Sequence, residues 1–201
     1  MSGRLIGKKI AIIVANEFED IELLYPILRL SEEGAEILVV PVRIGIHPRP
    51  YLENKPISGR FGTPVPIPVM PEGKRYRMHE FEDLWVDQID GLVIPGGFSP
   101  DYLRRHAHTL ELVRECCVAG KVVAAICHGP WVLISAGVTR GRRMTGVIAL
   151  RDDLINAGAE YLDEAVVRDG NIITSRNPND LPEFCAAIIE ALQEEISLRS
   201  V

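Results

Sequence analysis

The sequence has no apolar run approaching the roughly 18 residues needed to cross a bilayer, which argues against a membrane protein. It also lacks a cationic excess. Lys and Arg number 22 against 28 Asp and Glu, a net charge of −6, so the basic stripe of a nucleic-acid binder is not expected. The first residues, MSGRLIGKK, lead directly into an apolar run and contain no signal-peptide core, so the expected location is cytoplasmic. Cysteine is sparse: Cys116, Cys117, Cys127 and Cys185 fit no Cys-x-x-Cys spacing. Neither a zinc site nor a dithiol site is expected. In a reducing cytosol all four should be free thiols. No metal or cofactor is expected, and no internal repeat is present.

What remains is the composition of a globular domain: 201 residues, 47% hydrophobic and 25% charged. Ile- and Val-rich runs at 8–15, 36–41, 91–95 and 121–126 read as buried strands. Between them, 20–34 and about 100–119 have helical spacing. The first carries an apolar stripe of Ile21, Leu24, Tyr25 and Leu28. Pro26 costs least if the regular helix starts only a few residues earlier. Further helices are expected at 130–136, 150–157 and 179–197. Asp169-Gly170 between two short apolar runs marks a hairpin. Alternating strands and helices imply an α/β domain with a mainly parallel sheet covered on both faces, spanning 1–201. Residues 43–80 interrupt the pattern. Rich in Pro and Gly, they read as a flap or arm, with PVPIPV at 64–69 suited to an edge strand or polyproline segment.

The segment KVVAAICHGPWVLISAG, 121–137, concentrates the chemistry. A β-branched run stops on Cys127, and Pro130 then opens a helical run. A thiol at a strand-to-helix corner is the counterpart of a nucleophile elbow. The turn presents the side chain at the carboxyl ends of the strands, where open α/β sheets bind ligands. The following helix N-terminus should favour thiolate and lower the pKa of Cys127. The bland alternative is an inert buried cysteine. His128, next in the chain, is placed to move protons near neutral pH, or else only helps form the turn.

Three further groups fall at the same sheet edge. Asn16-Glu-Phe-Glu-Asp follows the first strand; Glu17 and Glu19 are candidates for proton transfer, while Asp20 fits an N-terminal cap. Gly96 and Gly97 follow the 91–95 strand and allow close backbone approach, so that a glycine N–H could pair with that of His128 around an oxyanion. Asp101 either caps the next helix or orients His128. His106 and His108, two apart, should point away from each other on a helix and make no metal pair.

Taken together, NEFEDIEL at 16–23, PGGxxPD at 95–101 and AICHGPxxLISAG at 125–137 resemble the ThiJ/PfpI family, which includes an intracellular protease and a parkinsonism-associated protein and is related to class I glutamine amidotransferases. DDLINAGAE at 152–160, the 169–171 hairpin and TSRxPxDL at 174–181 extend the resemblance, as does ISGRFG at 57–62 within the insertion. The resemblance implies a flavodoxin-like three-layer sandwich with Cys127 in a strained elbow. It implies Glu19 as the acid beside the sulfur, and an oxyanion site lined by the Gly97 and His128 amides. It further implies a homodimer or larger homo-oligomer in which Asp101 meets the histidine of a neighbouring subunit. The chain departs from the family at Gly146-Val147-Ile148, where an aromatic-proline pair is common.

Family members span several activities, and a fold does not choose among them. The first expectation is a cysteine-nucleophile enzyme acting on small reactive carbonyls, as in glutathione-independent glyoxalases or glycation repair. The second is a PfpI-type peptidase or amidohydrolase. A third, of another class, is a redox stress sensor or chaperone that uses Cys127 without catalysis.

Overall fold

A computed structural model describes residues 3–44, 49–52 and 55–199. The elements run β1 (Lys9–Val14), α1 (Asp20–Glu32), β2 (Glu36–Pro41), β3 (Arg77–Met78), β4 (Gly91–Ile94), α2 (Ser99–Leu103), α3 (Ala107–Val118) and β5 (Val122–Ile126). They continue with α4 (Pro130–Ala136), β6 (Arg143–Met144), α5 (Arg151–Asn156), β7 (Glu160–Tyr161), β8 (Val166–Asp169), β9 (Ile172–Ser175) and α6 (Leu181–Arg199). Seven strands form one sheet in the order β3-β2-β1-β4-β5-β9-β8, with only the β8–β9 hairpin pair antiparallel. The fold is α/β and flavodoxin-like, with helices on both faces.

The alternation of side chains along β1 and β5 builds the two cores. Ile10, Ile12, Val14, Val122, Ala124 and Ile126 face α1 and α6, meeting Leu23, Ile27, Phe184 and Ile188. Ala11, Ile13, Val123 and Ala125 face the other way, toward Tyr102, Val113, Cys116, Val132 and Leu154. A strand buried on both sides needs no polar alternation, which is why these runs read as continuous apolar stretches.

Some expectations change. Pro26 lies well inside α1, which begins at Asp20. Its missing N–H leaves the Glu22 carbonyl without the usual helical donor. The inward stripe of α1 is Leu23, Pro26, Ile27 and Leu30, whereas Ile21 and Leu28 are about half exposed. The 100–119 segment is two helices, broken at 104–106. Because His106 precedes α3 in an extended conformation, its ring meets that of His108 edge-on at 5.6 Å instead of pointing away.

The insertion at 43–80 is no loose flap where it is described; residues 45–48 and 53–54 of it lie outside the described residues. Ile57, Val65, Ile67 and Tyr76 are buried in the α1/α6 core. The edge strand is β3, not 64–69, which forms turns and bends apart from a bridge between Ser58 and Pro64. Asp20 ties the insertion down: its carboxylate accepts the N–H groups of Phe61 and Thr63, each at 2.9 Å. It makes no side-chain cap on α1. Gly59 is required there, since a Cβ would fall 2.4 Å from the Asp20 carboxylate.

Candidate active site

Strand order reverses between β1 and β4, one neighbour leading to β2 and the other to β5. Crevices open at such switch points, beyond the carboxyl ends of the strands. Residues 15–19, 95–98 and 127–129 follow β1, β4 and β5 and converge there.

Cys127 has φ +60°, a left-handed conformation that costs a non-glycine residue roughly 1 kcal/mol. Three backbone bonds hold it. Its N–H donates to the Ser175 carbonyl on β9 at 3.0 Å, its own carbonyl accepts from Val147 at 3.1 Å, and the Gly129 N–H closes the turn onto Ile126 at 2.8 Å. A Cβ at Gly129 would approach the Ile94 carbonyl to 2.5 Å. The elbow is therefore imposed by β9 on one side and the 146–148 segment on the other.

The acid against the sulfur is Glu22, not Glu19. Glu19 precedes α1 in an extended conformation, and its Oε2 pairs with Arg60 at 3.1 Å. Glu22, one turn into the helix, faces inward and is fully buried. Its Oε2 accepts the Gly96 N–H at 2.6 Å, while Oε1 is buried without a hydrogen-bond partner among the described residues. Gly96 marks the point of convergence. A Cβ built there would sit 2.7 Å from the Cys127 Cβ, 2.8 Å from Glu22 Oε2 and 2.9 Å from the His128 nitrogen. No other residue fits that position.

Burial lifts the Glu22 carboxyl to about 8, against the pull of the Gly96 N–H. Contrary to the sequence-based expectation, the Cys127 thiol is also raised, to about 12, by burial and then by the Glu22 charge; the N–H groups of Gly97 and His128 pull it down. The pair is coupled, because two anions this close oppose each other. Below pH 8 the proton resides on Glu22, and the charge opposing a thiolate is then absent. The two amide donors are the pair expected around an oxyanion, here turned on the sulfur.

His128 Nδ1 lies 3.3 Å from Cys127 Sγ. Burial, and then the nearby Arg60 charge, lower its pKa, which favours the neutral imidazole. Glu17 is also in a left-handed conformation, φ +59°. Its carboxylate accepts from the Tyr102 hydroxyl and pairs with Arg49 at 2.6 Å. Arg49 in turn lies over the Phe98 ring at 4.9 Å. Glu17 thus fastens the insertion to the sheet edge and is not aimed at the sulfur. Asp101 stands on α2 and pairs with Arg105, in the break just after that helix, at 2.6 Å. Among the described residues no cluster of His, Cys, Asp and Glu has the composition of a metal site, and all four cysteines are unpaired.

Trp131 escaped the sequence reading. Its ring lies 5.1 Å from that of His128, and its Nε1 donates to Asp153 at 2.8 Å. It supplies an aromatic surface beside the histidine. Its position one turn beyond Cys127 was the available signal.

The DJ-1/PfpI family model matches residues 8–191. Deglycase PfpI of Pyrococcus furiosus is 40% identical over 185 residues, covering 92% of this chain and 99% of that protein. YraA of Bacillus subtilis, named as a candidate cysteine protease, is 38% identical over 179 residues, covering 89% and 95%. Among solved structures, a two-domain protein from Anabaena variabilis with DJ-1/ThiJ/PfpI-like and ferritin-like domains superposes with a TM-score of 0.77 at 39% identity. The match covers 92% of this chain and 48% of that longer one. With the elbow, the sheet and these matches in agreement, the chain belongs to the DJ-1/PfpI family.

Proposed function

We propose that the protein is a cysteine-nucleophile enzyme converting small reactive carbonyls. The observation that carries this reading is a buried, raised-pKa carboxyl packed against a thiol on a strained elbow. Such an acid retains a proton at neutral pH and can deliver it during chemistry. The name deglycase borne by archaeal relatives supports the same reading.

For methylglyoxal the steps balance as follows. The Cys127 thiol gives its proton to His128 Nδ1, 3.3 Å from the sulfur, as the sulfur bonds to the aldehyde carbon, and the carbonyl electron pair moves to oxygen, which takes the Glu22 proton. The hemithioacetal carbon then loses its proton to the Glu22 carboxylate while His128 protonates the neighbouring carbonyl oxygen, giving an enediol. Glu22 returns its proton to the neighbouring carbon, and the first hydroxyl proton passes back to His128, which later reprotonates the sulfur. One carbon is oxidised, the other reduced, and a 2-hydroxy thioester results. Water releases the hydroxy acid and restores the thiol. The amides of Gly97 and His128 stand beside the sulfur, where the transient oxyanion forms. Glu19 is kept in reserve as a second proton carrier, screened by Arg60.

Purified protein should convert methylglyoxal to lactate, with Cys127→Ala inactive. Absence of conversion in the wild type retires the reading. The name of YraA supports a second reading, amide or peptide hydrolysis through a Cys127 thioester. A peptide panel with the same two proteins separates the two. We further propose that the site is completed by a second copy of the chain, whose Asp101 orients His128.

A further inference from the structure

Arg60 is held with unusual firmness for an exposed arginine. It sits in a tight turn of the insertion. Its N–H donates to the Phe18 carbonyl at 2.9 Å, the Gly59 N–H to Thr63 at 2.8 Å, and Asp20 grips the amides of Phe61 and Thr63 on the far side. Phe18 is bridged on one side to Gly59 and on the other to Gly97, whose amide faces the thiol. The turn is therefore the next backbone segment outward from the oxyanion donors. The Arg60 side chain is about half exposed, lies over the Phe61 ring at 5.0 Å and, among the described residues, makes one ion pair, through Nη1 to Glu19. Its charge reaches both Glu22 and His128. The other nearby cation, Arg49, is already engaged with Glu17, Tyr51 and Phe98.

A guanidinium is a planar fork suited to carboxylates, and Glu19 engages only part of it. The Glu19 contact also demonstrates that a carboxylate is accommodated at this point. From this we infer that Arg60 is a specificity-determining residue that selects carbonyl compounds bearing a carboxylate, which exchanges with Glu19 while the carbonyl carbon meets Cys127. The inference rests on the carbonyl reading for its substrate class, but the placement of a cation at the thiol is testable without turnover.

Iodoacetate and iodoacetamide alkylate the same sulfur and differ in a carboxylate against a neutral amide. The ratio of their rates at Cys127, followed by peptide mass, reports a cation facing that thiol. Arg60→Gln should lower the iodoacetate-to-iodoacetamide ratio about tenfold, the size expected for loss of one charge-assisted contact. Arg60→Lys should preserve most of it. Glu19→Gln, which removes the competing carboxylate, should raise it. In the wild type, raising NaCl from about 20 to 500 mM should lower the ratio through screening, a readout that needs no variant to fold. A ratio unmoved by the substitutions or by salt overturns the inference. So does equal slowing of both reagents in Arg60→Gln, which reports thiol reactivity alone. In parallel, methylglyoxal and 4,5-dioxopentanoate, a 2-oxoaldehyde that carries a carboxylate and isomerises to 2-hydroxyglutarate by the same steps, are offered as substrates. Loss of kcat/KM for 4,5-dioxopentanoate alone in Arg60→Gln supports selection, and equal loss for both counts against it. If the wild type converts neither, the carbonyl reading fails, while the alkylation ratio still decides the role of Arg60.

Discussion

In the proposed chemistry Glu22 and Cys127 act as a single protonic unit. Replacing Glu22 with Gln keeps shape and removes the proton, so turnover of a carbonyl substrate should fall by two orders of magnitude or more, the usual scale for an acid-base group. Glu19→Gln should cost far less, and steady-state kinetics of the two variants compares them directly. The same carboxyl predicts a stability signature. Its folded pKa of about 8 stands above the ordinary value of 4.5, so the folded state binds more protons than the unfolded chain between those limits. Stability is fully present below about pH 4.5 and is lost as pH rises toward 8, by on the order of a few kcal/mol. Urea melts across pH 5–8 should show this slope in the wild type and a flatter one in Glu22→Gln. Sequence reasoning missed Glu22 because it chose the wrong face of α1. Ile21, Leu24, Tyr25 and Leu28 have helical spacing, but so do Leu23, Pro26, Ile27 and Leu30, and apolarity alone does not say which turns inward. On the second choice Glu22, Pro26 and Leu30 share one stripe, and a carboxylate on an apolar inward face becomes conspicuous. Cys127, His128, Gly96 and Gly97 were legible because a strand, a small residue and a helix-opening proline leave few conformations for the corner between them.

The elbow is an element-level device, and its strain is measurable apart from its sulfur. Cys127→Ala keeps the left-handed penalty, whereas Cys127→Gly relieves it. The glycine variant should be more stable than the alanine variant by about 1 kcal/mol, although glycine ordinarily destabilises. Comparable melts of the two proteins check this; an alanine variant equal to or more stable than the glycine variant refutes it. Gly96→Ala should have the opposite character. Its new methyl meets Cys127, Glu22 and the His128 amide below 3 Å, so destabilisation of roughly 1–3 kcal/mol and loss of thiol reactivity are expected together. The central strands were readable from Ile and Val runs. The insertion was not, because its fixing contacts are long-range: Asp20 to Phe61 and Thr63, and Glu17 to Arg49. Proline and glycine there announced irregularity without announcing which apolar residues, such as Ile57 and Ile67, would be buried in the core.

At the scale of the whole molecule, the proposal of a shared site makes a strict demand. Inactive Cys127→Ala subunits mixed with inactive Asp101→Ala subunits should regain part of the wild-type activity, since one site of each heterodimer then holds an intact thiol and an intact carboxylate. A fully active monomer by sedimentation, or no rescue in verified heterodimers, refutes it. The sheet order bears on a different matter, the history of each chain as it is made. The amide of Cys127 is clamped by Ser175, and β9 slots between β5 and β8 only after nearly fifty further residues have left the ribosome. Glu22 and the glycine amides are synthesised long before. A growing chain therefore carries its thiol on an unconstrained corner and acquires the reactive geometry last, when α6 closes over β5 and β9. The seat of the sulfur against Glu22 and the two amides is thus a property of the finished fold, and a chain interrupted before β9 lacks the bond from the Cys127 amide to Ser175 that fixes it.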